Sequence, residues 1–282
     1  MDEYLAYSNT KKLKPESDVT VASFLRYAVE ERPRKLGRAT VCRNIPAAIS
    51  DYFRFTPNIN PANSPLVKQT LKVIQRSTPK PDKDRLPLTT GMLENMVKKI
   101  GVGSDEEVRN MFMIILMTVA MLRESEVVQL MTEHVQERDG VISVFIRKSK
   151  TDQASDGTTV YVAETGTLLC PVSWFRRYCM IRQGEAPFLF HQMGVKKDVS
   201  KQLSTRTPNF IVKKMLELIG VNPSQYGSHS CRKGGCTTAV ESGVDLRLVA
   251  RHGRWKSSAI MEYVKDSMDT KLSVTRAILG DE

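Results

Sequence analysis

Apolar residues between Val19 and Gln75 recur at intervals of three and four in three runs, and proline or a capping residue sits at the breaks. The first run, Val19 to Glu31, stops before Pro33. The second, Ala39 to Phe55, puts Val41, Ile45, Ala48, Ile49, Tyr52 and Phe53 at helical spacing. The third, Pro65 to Gln75, opens on Ser64-Pro65, a capping residue followed by proline at the first helical position. A small all-helical unit is expected. Ser77 to Arg85 then shows neither helical nor strand period and is broken by two prolines, the signature of a linker. The boundary is placed near residue 80, giving segments 1–80 and 81–282.

The second segment starts with a helix over about Gly91 to Ile100, closed by Gly101. Ser104 with Glu107 three residues on forms a capping-box pattern that opens the next helix. That helix is apolar nearly all round from Val108 to Leu122, so it is expected to be buried at the centre of its domain and to deliver Arg123 from its end. Val135 to Arg138 and Val141 to Ile146 flank Asp139-Gly140, a hairpin signal, and Thr158 to Val162 follows the loop ending in Asp156-Gly157. Helices are expected at Pro171 to Arg182, Pro208 to Ile219, His229 to Ser242, Leu246 to His252 and Ser258 to Lys265, mostly punctuated by Gly184, Gly220, Gly243 and Gly253. The fold class is therefore mainly α with one small antiparallel sheet, in two domains.

Composition narrows the class. With 282 residues the chain is about twice the usual domain size, and 41% apolar content can bury a core, which argues against disorder. The longest apolar run, Met111 to Leu122, is short of the roughly twenty residues a membrane span needs. The N-terminus has no apolar signal segment, so an intracellular protein is expected. Cys42, Cys170, Cys179, Cys231 and Cys236 form no C-x-x-C pair, and no metal-ligand spacing appears, so they read as reduced thiols with no metal site. The formal net charge is +11, and the excess is uneven: Met1 to Leu86 holds 16 basic against 9 acidic residues. A polyanion such as a nucleic acid suits that excess, because each neutralised phosphate releases counterions.

No Walker loop, no G-x-G-x-x-G and no H-E-x-x-H is present, so any chemistry must come from the chain's own side chains, without cofactor. Arg123 directly follows the buried helix. Arg232 lies in a helix thinned by Gly234, Gly235 and Ala239, with His229 three residues earlier on the same face. Thin helices let another backbone approach closely. Lys150 is expected to end a strand of the hairpin sheet, Trp255 closes Gly253-Arg254-Trp255, and Tyr263 lies just beyond. Guanidinium forks bind phosphate bidentately, a tyrosine beside cations can act as nucleophile, and a lysine can protonate a leaving oxygen. Together they form a set for metal-free phosphoryl transfer.

The order of these residues resembles the tyrosine recombinase (phage integrase) family, through Met121-Leu-Arg123-Glu-Ser-Glu126, Ile146-Arg-Lys-Ser-Lys150-Thr, His229-Ser-Cys-Arg232, Gly253-Arg-Trp255 and Tyr263. The resemblance covers nearly the whole chain and implies a helical core-binding domain, a linker and a catalytic domain that clamp double-stranded DNA. It implies that Arg123 and Arg232 hold the scissile phosphate, His229 assists proton movement, Lys150 protonates the departing 5′-oxygen and Tyr263 forms a 3′-phosphotyrosine bond, with Glu126 in support. Trp255 stands where many members carry histidine, and it precedes Tyr263 by eight residues, a slightly shorter interval than in many of them. The Gly-Arg-Trp form is similar to recombinases of eukaryotic mobile elements, including retrotransposons, which implies a nuclear location, or the cytoplasm or nucleoid otherwise.

Fallbacks for individual roles are His252 for Trp255, Lys148 for Lys150 and Tyr226 for Tyr263. Leu272, Val274, Ala277, Ile278 and Leu279 put apolar groups on one side of a C-terminal helix, and the resemblance implies that it docks on a neighbour in a homotetramer holding two DNA sites. No small-molecule substrate and no membrane partner are expected. The alternatives are a type IB topoisomerase, which shares the phosphotyrosine chemistry, and a domesticated DNA-binding protein without activity.

Overall fold

The computed structural model describes residues 1–282 apart from 35, 38–39, 79–84, 148–156, 183–185, 194–198, 256–259, 262–267 and 280–282. The chain forms two compact units, Met1–Lys83 and Asp84–Glu282.

The first unit is helical. α1 (Asp2–Thr10), α2 (Asp18–Glu30), α3 (Ile45–Tyr52) and α4 (Pro65–Ser77) surround a core of Val21, Leu25, Ala28, Val41, Ile49, Val67 and Ile74. Ser17 and Ser64 cap α2 and α4 by accepting from the amides of Val19 and Val67. α1 had no clear periodic signal. It is held by tertiary contacts, with the Tyr4 and Tyr7 rings each 5.3 Å from Phe24 and the Tyr4 hydroxyl donating to the Pro15 carbonyl at 2.5 Å. The single helix expected over Ala39 to Phe55 is instead a π-turn, Thr40–Asn44, running into α3. Pro46 supplies no amide hydrogen there, so the turn before it does not close as a regular α-turn.

The second unit is built around α6 (Asp105–Val119), which has both hydrogen bonds of its Ser104–Glu107 capping box and is buried at every position from Val108 to Thr118. α5 (Thr90–Ile100) ends at Gly101, whose φ of +60° lies in the left-handed region. The strands β1 (Val135–Arg138), β2 (Val141–Ile146) and β3 (Thr158–Ala163) form an antiparallel sheet in that order. Asp139 and Gly140 turn the hairpin with φ of +51° and +74°. α8 (Pro171–Ile181), α9 (Thr207–Leu218), α10 (Ser228–Glu241), α11 (Leu246–His252) and α12 (Met268–Leu279) follow. Most of the helix expected over Ser258 to Lys265 lies outside the described residues.

α6 ends three residues before the sequence pattern does. Leu122 N–H donates to the Met117 carbonyl at 3.0 Å and Met121 N–H to Thr118 at 3.4 Å, a Schellman closure with Met121 itself at φ +48°. Without a glycine at that position the stop is not readable from local sequence. Arg123 therefore sits at the N-cap of the short helix α7 (Glu124–Val128), not on α6.

The glycines of α10 act as the pattern suggested. A Cβ on Gly234 would overlap the Leu88 carbonyl oxygen, and one on Gly235 would overlap that of Thr118. Leu88 N–H donates to the Ser230 carbonyl at 3.0 Å, so the segment before α5 lies against α10 on one side and the end of α6 on the other. Gly234→Ala is expected to destabilise the second unit by about 1–3 kcal/mol, since backbone must move. Gly91→Ala, in open space on α5, should stabilise by up to about 1 kcal/mol. Denaturant unfolding of both variants compares the two; equal effects would show that α10 has room to spare.

Candidate active site

Two helix ends meet at this site, and both are closed by a non-glycine residue in the left-handed region. At the end of α6 that residue is Met121. At the end of α11, Trp255 N–H donates to Ala250 at 2.9 Å and Arg254 N–H to Arg251 at 3.0 Å, which puts Arg254 at φ +62°. Gly253 is thus not the left-handed residue its place in the sequence suggests. It makes room instead: a Cβ there would run into the Trp255 ring.

A helix C-terminus leaves carbonyls without intrahelical partners and carries a partial negative charge. Three basic side chains from distant parts of the chain meet those of α6. His252 Nε2 lies 2.7 Å from the Val119 carbonyl oxygen. Arg254 donates to Ala120 at 3.1 Å and to Met121 at 2.9 Å. Arg232, fully buried, donates to the Met121 and Gly253 carbonyls, and its guanidinium stacks on the Trp255 ring with 4.0 Å to the centroid.

Arg123 is held from the other side by Glu126. The Glu126 carboxylate, only 1% exposed, accepts from Arg123 NH1 at 2.6 Å, from the Arg123 backbone N–H at 2.9 Å and from Arg254 NH2 at 2.9 Å. Burial pushes this carboxyl upward, but the charge of Arg254 and then the hydrogen bonds and charge of Arg123 outweigh it, so the group titrates below its ordinary value. Arg123 keeps 17% side-chain exposure, so its fork is held but still reachable.

The structure thus brings Arg123, Glu126, Arg232 and Trp255 together. His229 lies in the first turn of α10, exposed, whereas Arg232 one turn on is buried. The shared face inferred from spacing therefore crosses from solvent into the core. Lys150, its fallback Lys148 and Tyr263 lie outside the described residues. Tyr226, the other tyrosine considered, is 7% exposed within the apolar core, and His252 is engaged with the end of α6 rather than with Arg232. Sequence reasoning passed over Arg254; its only signal was its place inside Gly253-Arg-Trp255.

The phage integrase family model matches residues 88–269, and the chain belongs to that family, the tyrosine recombinases. It is similar to an integrase/recombinase XerD homolog of Selenomonas ruminantium, 22% identical over 254 residues, covering 88% of this chain and 72% of the relative. The fold matches the XerH site-specific recombinase in a post-cleavage complex with palindromic difH substrate, with a TM-score of 0.65 at 16% identity over 92% of this chain and 69% of the other. It also matches the Tn1549 transposon integrase in complex with transposon right end DNA, with a TM-score of 0.64 at 14% identity over 94% and 87% of the two chains.

The stack of Trp255 on Arg232 can be read out directly. In a Trp174→Phe background Trp255 is the remaining tryptophan, and Gly253→Ala should shift its emission to the red and raise its quenching by acrylamide. Stability should fall by about 0.5–2 kcal/mol through loss of the cation–π contact. An unchanged spectrum would mean that the ring does not rest on Gly253.

Proposed function

We propose that this chain is a site-specific DNA recombinase that cuts and rejoins strands through a 3′-phosphotyrosine intermediate, serving integration or excision of a mobile element. The observation that carries the reading is the convergence of Arg123 and Arg232, 109 positions apart in sequence, on the single turn that ends α6. Two fixed guanidiniums there suit the non-bridging oxygens of one phosphodiester.

In this reading the Tyr263 oxygen attacks phosphorus, the phosphorus–5′-oxygen bond breaks, and the leaving oxygen takes a proton from Lys150. His229 assists proton movement, and Trp255 supports Arg232. Tyr263 and Lys150 enter on their sequence motifs. The Tn1549 relative is a transposon integrase by name, which agrees with a mobile-element role, and the Gly-Arg-Trp form favours work in a nucleus over a nucleoid.

The first unit supplies a surface for duplex DNA. Lys68, Lys72 and Arg76 recur every four residues along α4, beside Pro65, Gln69 and the exposed Val73, and line a shallow depression. None of the three cations has an acidic partner among the described residues, and such a stripe suits a phosphate backbone.

Nicked suicide substrates test the chemistry. Wild-type protein should become covalently attached to DNA, while Tyr263→Phe should bind DNA normally and form no adduct, because only the hydroxyl is lost. An adduct from the phenylalanine variant removes Tyr263 as nucleophile. Relaxation of any supercoiled plasmid would point to a topoisomerase, and binding without any adduct to a non-catalytic protein.

The C-terminal helix supports assembly as a homotetramer on two DNA sites. Leu272, Ile278 and Leu279 of α12 are exposed, and twelve residues are too few for a stable isolated helix. The second unit has an apolar groove of about 950 Å³ lined by Leu93, Ile115, Val119, Val160, Leu248 and Val249, among others. In the proposed assembly α12 of one copy fills the groove of the next. Truncation after Ser267 should leave single-site binding intact and abolish the complex that pairs two sites in a native gel; a truncated protein that still pairs sites would show that α12 packs in cis or plays no part.

A further inference from the structure

Arg254 combines features that a passive core residue does not need. Its backbone is left-handed at φ +62°, a conformation that costs a residue with a Cβ roughly 1–2 kcal/mol and favours glycine. Its side chain is 6% exposed. Nη1 donates to the Ala120 and His252 carbonyls, each at 3.1 Å, and Nη2 to the Met121 carbonyl and Glu126 Oε2, each at 2.9 Å. The two amino groups have four hydrogens between them, so all four are directed at acceptors inside the protein. The one remaining donor, Nε, is itself buried. No donor of Arg254 is left for an anion arriving from solvent.

Those four acceptors lie on both halves of the site. Glu126 aligns Arg123 through its side chain and its backbone amide. The Met121 carbonyl is shared with Arg232. The His252 carbonyl belongs to the turn that carries Gly253 and Trp255, which accept from and stack on Arg232. Arg254 therefore touches the supports of both phosphate-facing arginines and neither arginine's reaching face.

We propose that Arg254 is a positioning residue for strand cleavage: it neutralises the buried Glu126 and ties the Arg123 turn to the Arg232–Trp255 turn, so that both guanidiniums meet one phosphate, while making no contact with DNA itself. The inference rests on the reading of Arg123 and Arg232 as phosphate ligands. Lysine cannot replace it, because a single ammonium group has three donors and no planar fork to span four acceptors on two helix ends.

The charged groups facing Glu126 set a pH signature. They are Arg123 from its own turn and Arg254 from the turn after α11; Arg232 from α10 and the titratable His252 lie close by, bonded to the Met121 and Val119 carbonyls. In the wild type Arg254 and Arg123 keep the carboxyl below its ordinary value, so its contribution is present above the unfolded value and lost as pH falls through the lowered folded value. With Arg254→Gln, burial is opposed by Arg123 alone. The carboxyl then titrates higher than in the wild type, and Arg123 loses an acceptor at a correspondingly higher pH.

The experiment compares single-turnover adduct formation on a suicide substrate, DNA binding by band shift, and thermal melts, for the full chain and its variants between pH 5.5 and 8.5. Arg254→Gln is expected to bind DNA as the wild type does, to cleave slower on the order of 10²-fold, and to show an acid limb absent from the wild type. Adding Glu126→Gln should remove that limb. Arg254→Lys should keep the charge and the flat profile but not restore the rate. Parallel loss of binding and cleavage would make Arg254 a DNA ligand and overturn the proposal. A wild-type rate from Arg254→Lys would overturn it as well, and this variant decides the matter should Arg254→Gln fail to fold. Failure of the wild type to form any adduct would instead count against the catalytic reading of Arg123 and Arg232.

Discussion

A buried helix that ends in the middle of a domain must have its last carbonyls satisfied, and the rest of the second unit is organised around that need. α6 is enclosed from Val108 to Thr118, so water cannot serve its C-terminus, and the macrodipole adds partial negative charge there. Basic side chains from α10 and from the end of α11 do so instead: Arg232, Arg254 and His252 bond Val119, Ala120 and Met121. Concentrating buried guanidiniums at one point is costly unless a carboxylate balances them. Glu126 is that carboxylate, and it also fixes Arg123. A structural requirement of one helix thus gathers the positive charge that the proposed reaction uses.

Close packing makes the gathering possible. α10 reaches the end of α6 only because Gly234 and Gly235 present no side chain to the backbones of Leu88 and Thr118. The Trp255 ring lies across Gly253 for the same reason, and its face meets the Arg232 guanidinium. Each of these contacts trades helix propensity or backbone ease for proximity, a local cost typical of sites that carry function. The left-handed residues Met121 and Arg254 extend the pattern, since both helix ends close without glycine and hold their conformations through the bonds made across the site.

The two units differ in composition. The second has a large apolar core with a smaller cluster beside the site, and places the buried Glu126, Arg232 and Arg254 at the site. The first has a smaller core and, among its described residues, the α4 cations Lys68, Lys72 and Arg76 without an acidic partner, which suits long-range attraction to a polyanion more than any chemistry. A recombinase reading assigns the first unit to holding DNA and the second to cutting it.

Much of this was legible in the sequence. Periodicity, caps and turn residues identified most helices and all three strands, because those signals act over a few residues. The glycines of α10 announced a close approach, and the order of Arg123, Glu126, Lys150, His229, Arg232, Trp255 and Tyr263 carried the family resemblance before any geometry was known. Other features depended on partners distant in the chain. α1 exists because Tyr4 and Tyr7 find Phe24. α6 stops at Val119 through a Schellman closure with methionine, which no local rule anticipates. Arg254 reads as a solvated arginine in a polar turn, yet it is buried, because the carbonyls of α6 and the carboxylate of Glu126, more than 120 positions away, meet it only once the chain is folded. Local sequence decides which backbone shapes are cheap; which charges must share a dielectric-poor space is decided by tertiary packing alone.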